Sequence, residues 1–383
     1  MDYAATTPLD PRVLEAMNPY FTEVYGNASS INAFGLEARE ALEDARRVVA
    51  GLMNAEAKEL VFTGSATEAN NLVLKGFAFR KGKEKAHIAI STIEHDCVLN
   101  SAKWLEKQDF RITYVSVDRY GLLDLGELED ALRSGASLVS IIHANNEIGT
   151  IQTLKEIGEL CHAYGANFHT DAAQSFGKIP IDVEEMNIDL MTVNAHKIYG
   201  PKGVGALYIK KGVRLEPLLH GGGHEFGLRS GTENVPGIMG FAKAVELRRE
   251  EMGPEADRLS ALRDRLINGT LEIEESYLNG HPMRRLPNIA NFRFSYIEGE
   301  SLVLLLNDEG VAASTGSACS SRSLEPSHVL LALGLKPEEV HGSLRISLGK
   351  YNTEEDVDYI LDVLPGAVEK LRRISPLAKR GRE

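Results

Sequence analysis

Between about residues 36 and 250, short β-rich runs alternate with helical stretches. The runs include Glu59–Thr63, His87–Ser91, Leu138–Ile142, Asn167–Thr170, Leu190–Val193 and Gly205–Ile209. Strands separated by helices can pair only through crossovers, so the pattern predicts an α/β fold with a mainly parallel sheet between helices. Beyond Glu250 the pattern changes. A polar helical stretch at Asp257–Asn268 is followed by a strand-like run at Asn288–Phe294, a helix near Ser301–Asn307 and a last helix near Thr353–Leu371. This reads as a smaller C-terminal α+β domain. A chain of 383 residues is long enough for two cores. The expected division is residues 11–250 for the large domain and 251–383, with an extended arm at 1–10, for the small one. A helix around Pro236–Met252 joins them, and Asp10-Pro11 opens the first helix after the arm.

Lys plus Arg total 42 against 55 Asp plus Glu, a formal charge of −13. Nucleic acid and anionic membrane both reward a basic face, so neither is expected as a partner. The opening Met1-Asp2-Tyr3-Ala4 has no basic and then apolar run of a secretory leader, and apolar runs such as Leu138–Ile142 are far too short to span a bilayer. Three cysteines make no disulfide framework and suit a reducing compartment. The expected location is the cytoplasm.

Open α/β sheets place ligands beyond the carboxyl ends of their strands. In LMTVNAHK, Leu190–Lys197, an apolar strand ends and Lys197 stands just past it. A desolvated lysine amine there can form a Schiff base, whereas Lys202 and Lys210 read as solvated surface charges. In NFHTDAAQ, Asn167–Gln174, the strand ends on Asp171. That acid could cap a helix, or hold the protonated pyridine nitrogen of pyridoxal 5'-phosphate (PLP), with Gln174 reaching the ring's phenolic oxygen. An amine and an acid on successive strand ends favour the second reading. TGSATE at Thr63–Glu68 leaves amides free at a helix start, which suits a phosphate but also describes a plain capping turn. His95, at the end of the strand beginning at His87, could lie on the cofactor ring and move protons, and His196 could donate to the phosphate. His220 and His224 flank three glycines without supporting acids, so no metal site is expected.

Cys319 lies in STGSACSSRS, Ser314–Ser323, a small, polar, aperiodic stretch that predicts an exposed loop and a reactive thiol. Cys97, close behind His95 in a more apolar setting, is its rival. Cys161 shares a helical face with Leu154, Ile157, Leu160 and Tyr164 and reads as a buried hydrophobe. Arg345, within the apolar run GSLRISLG, either meets a carboxylate ligand or makes a structural salt bridge.

Taken in order, these segments resemble the cysteine desulfurases of the NifS/IscS type, class V aminotransferases with the type I PLP fold. The resemblance runs through DYAATTP at Asp2–Pro8, FTGSATEANN at Phe62–Asn71, EHDCVL at Glu94–Leu99 and NNEIGTIQ at Asn145–Gln152. It continues through DAAQSFGKIPIDV at Asp171–Val183, HKIYGPKGVGALY at His196–Tyr208, HGGGHE at His220–Glu225, RSGTENVPGI at Arg229–Ile238 and TGSAC at Thr315–Cys319. The resemblance implies Lys197 as the Schiff-base lysine, Asp171 on the pyridine nitrogen, and Gln174 and Asn146 near the phenolic oxygen and substrate. It implies Ala66, Thr67, Asn194 and His196 as a phosphate cup, completed by Thr232 from the neighbouring subunit of a homodimer. His95 would stack on the ring, Arg345 would bind the substrate carboxylate, and Cys319 would be the nucleophile. The loop around Cys319 is similar to that of the housekeeping subgroup. Asn194 replaces a usual Ser, Asn32 a usual His, and Phe226 a usual Arg. Little sequence follows Ser375-Pro376-Leu377, where relatives that dock an iron–sulfur scaffold carry a longer tail.

The implied reaction converts L-cysteine to L-alanine. Lys197 moves the Cα proton, Cys319 attacks the substrate sulfur, His95 manages thiol protons, and the persulfide passes to an acceptor for iron–sulfur cluster assembly. Selenocysteine lyase, or another class V reaction such as transamination, is the alternative within the family. A non-catalytic assembly partner that uses Cys319 as a shared iron–sulfur ligand is the alternative outside it. Intact Lys197 and Asp171 argue against that last reading.

Overall fold

A computed structural model of the chain describes residues 1–315 and 326–376. Among the described residues ten strands run in chain order: β1 Leu60–Thr63, β2 His87–Ser91, β3 Arg111–Val115, β4 Leu138–Ile142, β5 Asn167–Asp171, β6 Leu190–Asn194, β7 Gly205–Ile209, β8 Ser276–Asn279, β9 Ile289–Phe294 and β10 Ser343–Ser347. The first seven form one sheet in the order β1-β7-β6-β5-β4-β2-β3, and the rest form an antiparallel sheet in the order β10-β9-β8. β3, β2, β4, β5 and β6 are parallel neighbours. β7 runs antiparallel to both β6 and β1, so β1 points the same way as β6. The carboxyl ends of β1, β2, β4, β5 and β6 therefore share one edge.

Every residue of β1, β2, β4, β6 and β7 is buried, as a sheet covered by helices on both faces requires, so these strands read as apolar runs. β3 lies at the sheet's end and is largely uncovered, which is why RITYV carried no comparable signal. β8, likewise an edge strand, escaped the sequence reading for the same reason.

Two expected helices are one. Gly253-Pro254 suggests a break, yet a single helix runs Val235–Thr270, with Pro254 inside it. At 1.5 Å per residue it is about 54 Å long. Its first half packs Ile238, Phe241 and Val245 into the large sheet's core. Its second half packs Leu259, Leu262, Leu266 and Ile267 into the small one, beside Val357, Ile360 and Leu364 of the helix Glu354–Ile374.

The N-terminal arm ties the two sheets together. Tyr3 donates its amide to the Ser347 carbonyl at 3.1 Å, and Ser347 donates to Met1 at 2.9 Å, beside β10. Farther along, Thr7 donates to the His196 carbonyl at 3.1 Å and Asp10 to the Tyr199 carbonyl at 3.0 Å. Asp10 then caps the helix Pro11–Met17, as expected, by accepting from the Arg12 amide. Among the described residues no helix is long and apolar enough to cross a membrane.

Candidate active site

Lys197 follows β6 by three residues, in the turn that the arm crosses. Its Nζ donates to the carbonyls of Ala4 at 2.5 Å and Ala5 at 2.7 Å. Gln174 donates Nε2 to the same Ala4 carbonyl at 2.9 Å, so the arm joins the amine to the residue three places past Asp171. Asp171 ends β5, beside Thr192 of β6, and is buried. Its Oδ1 accepts the Ala173 amide at 2.9 Å, the capping role considered for it. Its Oδ2 accepts Asn70 Nδ2 at 2.7 Å, leaving the acid oriented rather than merely capped.

The turn after β1 builds an anion-binding geometry. Ser65 caps the helix Ala66–Lys81 by accepting from the Glu68 amide at 3.1 Å, and the Ser65 carbonyl takes the Ala69 amide. The amides of Ala66 and Thr67 are those that a first helical turn leaves over for a ligand. Gly205, opposite, comes so close that a Cβ there would lie 2.9 Å from the Ser65 carbonyl carbon and 3.1 Å from the Ala66 nitrogen, so only glycine admits this approach. Asn194 is buried, with its Oδ1 unpartnered. A 180° turn of the amide exchanges its ends, so this is a carboxamide still lacking a fixed partner. His196 meets Thr6 Oγ1 through Nδ1 at 3.1 Å. Burial first, then the charges of Lys197, Lys202 and Lys178, push it down to about 4. It is thus a neutral imidazole at pH 7, able to donate one N–H. This donor set fits a phosphate. Thr232 is exposed, three residues from Arg229, whose Nε bridges to Glu68 at 2.9 Å.

His95 caps the helix Asp96–Glu106, its Nδ1 accepting the Cys97 amide at 3.2 Å. Arg345 on β10 donates to Asp2 Oδ1 at 3.0 Å and to the Asn146 carbonyl at 2.9 Å, while its buried Nε has no partner. The structural salt bridge and one unsatisfied donor thus coexist on the same guanidinium. Ser314 pairs with Arg345 through reciprocal backbone bonds and donates its hydroxyl to Asp2. Ser327 donates to Glu147 Oε2 at 2.6 Å, near Asn146. Cys319 lies outside the described residues. Cys161 is wholly buried, and burial pushes its thiol pKa up, as a structural cysteine should behave.

Four contributors went unassigned in the sequence reading. Asn70 comes from a helix interior, 101 residues from Asp171. Glu94 is fully buried, accepting from Ser91 Oγ and the Ile142 amide through Oε1 while Oε2 is unpartnered. Burial lifts its pKa to about 8. Glu147 is lifted by burial to about 7. Lys178 donates to Gln174 Oε1 at 3.1 Å, and burial, followed by the charge of Lys197, brings it down to about 7. All four lie within or near segments that carried the resemblance, but nothing in their local pattern marks them.

The three departures have local explanations. Asn32 caps the helix Ala33–Gly51, accepting the Gly35 amide. Asn194 has the unpartnered amide described above. Phe226, with a left-handed φ of 57°, covers the Arg46 guanidinium at 5.0 Å, where Arg46 binds Glu225. Among the described residues no group of three or more His, Cys, Asp or Glu side chains could hold a metal ion.

A half-buried lysine and a buried acid at adjacent strand ends, with the first amides of a helix beside them, define a class of enzyme, and the comparisons agree. The chain belongs to the class-V aminotransferase family, whose match spans residues 1–360. Within that family it stands among the cysteine desulfurases of the IscS and NifS type. It is 55% identical over 379 residues to cysteine desulfurase IscS 1 of Archaeoglobus fulgidus, covering 99% of each chain. A solved NifS-like protein superposes with a TM-score of 0.91 at 40% identity, over 97% of this chain and 99% of that one. A structure described as SspA in complex with cysteine gives 0.82 at 39% identity, over 92% and 99%.

Proposed function

We propose that this chain is a PLP-dependent cysteine desulfurase that converts L-cysteine to L-alanine and holds the sulfur as a persulfide on Cys319. The observation that carries this reading is the convergence on one sheet edge of Lys197, Asp171, the Ala66–Thr67 turn and Asn194. When bound, PLP supplies an electron sink that weakens bonds at the substrate's Cα and Cβ.

The protein's own groups do the rest. Lys197 would hold the cofactor through Nζ and is the group assigned to move the substrate's Cα proton. Asp171, oriented by Asn70, would pair with the ring nitrogen, and Gln174 and Asn146 would serve the phenolic oxygen and substrate. Ala66, Thr67, Asn194 and neutral His196 would donate to the phosphate. Arg345, held by Asp2 and the Asn146 carbonyl, would bind the substrate carboxylate. Cys319 would attack the substrate sulfur, forming the S–S bond as the Cβ–S bond breaks and its electron pair stays with the carbon fragment that is protonated to alanine, with His95 handling the thiol proton. Both flanks of the segment bearing Cys319 support this: Ser314 is bonded to Arg345 and Asp2, and Ser327 to Glu147.

A homodimer, with Thr232 completing the partner's cup, is part of the same reading. It is supported by exposed Phe21, Tyr25, Ile31, Phe34 and Leu36 within one short stretch, too much apolar surface for a lone chain to leave bare. An iron–sulfur scaffold as acceptor, a cytoplasmic location and the domain division at residues 250/251, with the long helix shared, complete it. The test is to supply L-cysteine, L-selenocysteine and keto acids in parallel. The reading expects alanine and reducible sulfur from L-cysteine without a keto acid. A strict need for a keto acid would mean transamination instead.

A further inference from the structure

We infer that Cys97 is a positioning residue that fixes the tautomer of His95 and couples it, through the Asn70 carboxamide, to Asp171. The inference rests on the reading that His95 serves the reaction.

The contacts run through one sulfur. Asn70 Nδ2 carries two N–H bonds. One goes to Asp171 Oδ2 at 2.7 Å and the other to Cys97 Sγ at 3.1 Å. Reversing the amide would set Oδ1 against the carboxylate, acceptor facing acceptor, so its orientation is determined by chemistry. Asn70 is wholly buried and its Oδ1 has no partner, so this amide is held by what its nitrogen does. On the other side, Cys97 Sγ lies 3.1 Å from His95 Nδ1. The Cys97 amide also points at Nδ1, at 3.2 Å. A nitrogen that accepts a backbone N–H carries no proton of its own in the neutral ring, so the thiol must be the donor in the S···N contact. The proton of neutral His95 then sits on Nε2. Cys97 is thus polarised from both ends, accepting from Asn70 and donating to His95. A cysteine that merely filled the apolar space beside Val98 and Leu99 would need neither contact.

The charge environment of His95 comes from several elements. Glu94 and Asp96 flank it in sequence, Glu147 approaches from the loop after β4, His328 from the helix His328–Ala332, and Asp171 through Asn70. Removing the S–H donor therefore takes away one bond specific to neutral imidazole and leaves that field intact.

Two measurements test this. In the full-length Cys319→Ser protein, alkylation of Cys97 by iodoacetamide is followed against pH by peptide mass; Cys161 is buried and shielded. We expect an inflection that reflects His95 titration, with a rate change of about threefold or more, and its loss in His95→Gln. An identical curve in His95→Gln overturns the coupling. In the cofactor-loaded enzyme, Cys97→Ala should move the acid limb of kcat/KM for L-cysteine upward by about half a pH unit, the shift worth one neutral hydrogen bond. Cys97→Ser, which keeps donor and acceptor, should track the parent. Should Cys97→Ala also track the parent while His95→Gln loses activity, the inference fails and the functional reading stands. A parental pH profile in His95→Gln overturns both.

Discussion

Arg46 and Arg345 are both buried guanidiniums facing carboxylates, and they illustrate opposite uses of the same chemistry. Arg46 is saturated. It donates to Glu43, to the Leu60 carbonyl and, with two nitrogens, to both oxygens of Glu225, while Phe62 and Phe226 lie 4.9 and 5.0 Å from its centre. The Glu225 side chain is only 3% exposed, so nothing from solvent can compete for it. Arg345 is incompletely served. Its Nε is buried without a partner, and its acid, Asp2, is 23% exposed on a terminal arm. A network in which every nitrogen is paired holds a fold together, whereas Arg345 keeps one donor over, as the proposed hold on a substrate carboxylate requires.

That contrast can be broken by substitution, starting from a reference at the site's centre. Lys197→Ala should cut turnover of L-cysteine by about a thousandfold or more, since the proposed Schiff base and the Cα proton transfer both depend on its amine. Retention of the parental rate would remove Lys197 from the mechanism. Arg345→Ala should raise KM for L-cysteine about a hundredfold, the loss of two charge-assisted hydrogen bonds at about tenfold each, with little change in unfolding midpoint. Arg46→Met should do the reverse. Stranding Glu225 should cost about 3–5 kcal/mol in denaturant unfolding while kcat/KM of the surviving folded enzyme stays within about twofold. If the two arginines exchanged these phenotypes, the distinction drawn from their bonding would be wrong.

The smallest effect is a slope. Glu94 keeps its proton in the folded chain until about pH 8 but releases it near the ordinary carboxyl value of 4.5 once unfolded. Between those values the folded state binds the extra proton, so its contribution to stability falls as pH rises. Glu94→Gln should flatten that decline. Unfolding in urea at pH 5.5 and 7.5 would show it as a smaller difference between the two pH values than in the parent.

The sequence made some of this legible, for physical reasons. Covered strands such as Ile88–Ser91 and Leu190–Val193 are continuous apolar runs, and Lys197 and Asp171 stand out because chemistry sits just past them. The strand Arg111–Val115 lacks that signature because it is largely uncovered. The helix across Gly253-Pro254 is hidden because packing at both ends overrides a local breaker. Site residues such as Asn70 and Glu94 were silent because their function depends on partners distant in sequence. Asn70 is an ordinary helical position until Asp171 and Cys97 come alongside it. The role of Arg345 was only half legible: the sequence showed a buried cation, and only the structure shows the unfilled Nε.

The most direct test of the sulfur-transfer account is mass spectrometry of the tryptic peptide Phe294–Arg322, whose one cysteine is Cys319, after brief exposure of the enzyme to L-cysteine. One added sulfur, removable by a thiol reductant and absent in Lys197→Ala, is the predicted result. An unmodified peptide in enzyme that is producing alanine would contradict the assignment of Cys319 as the sulfur carrier.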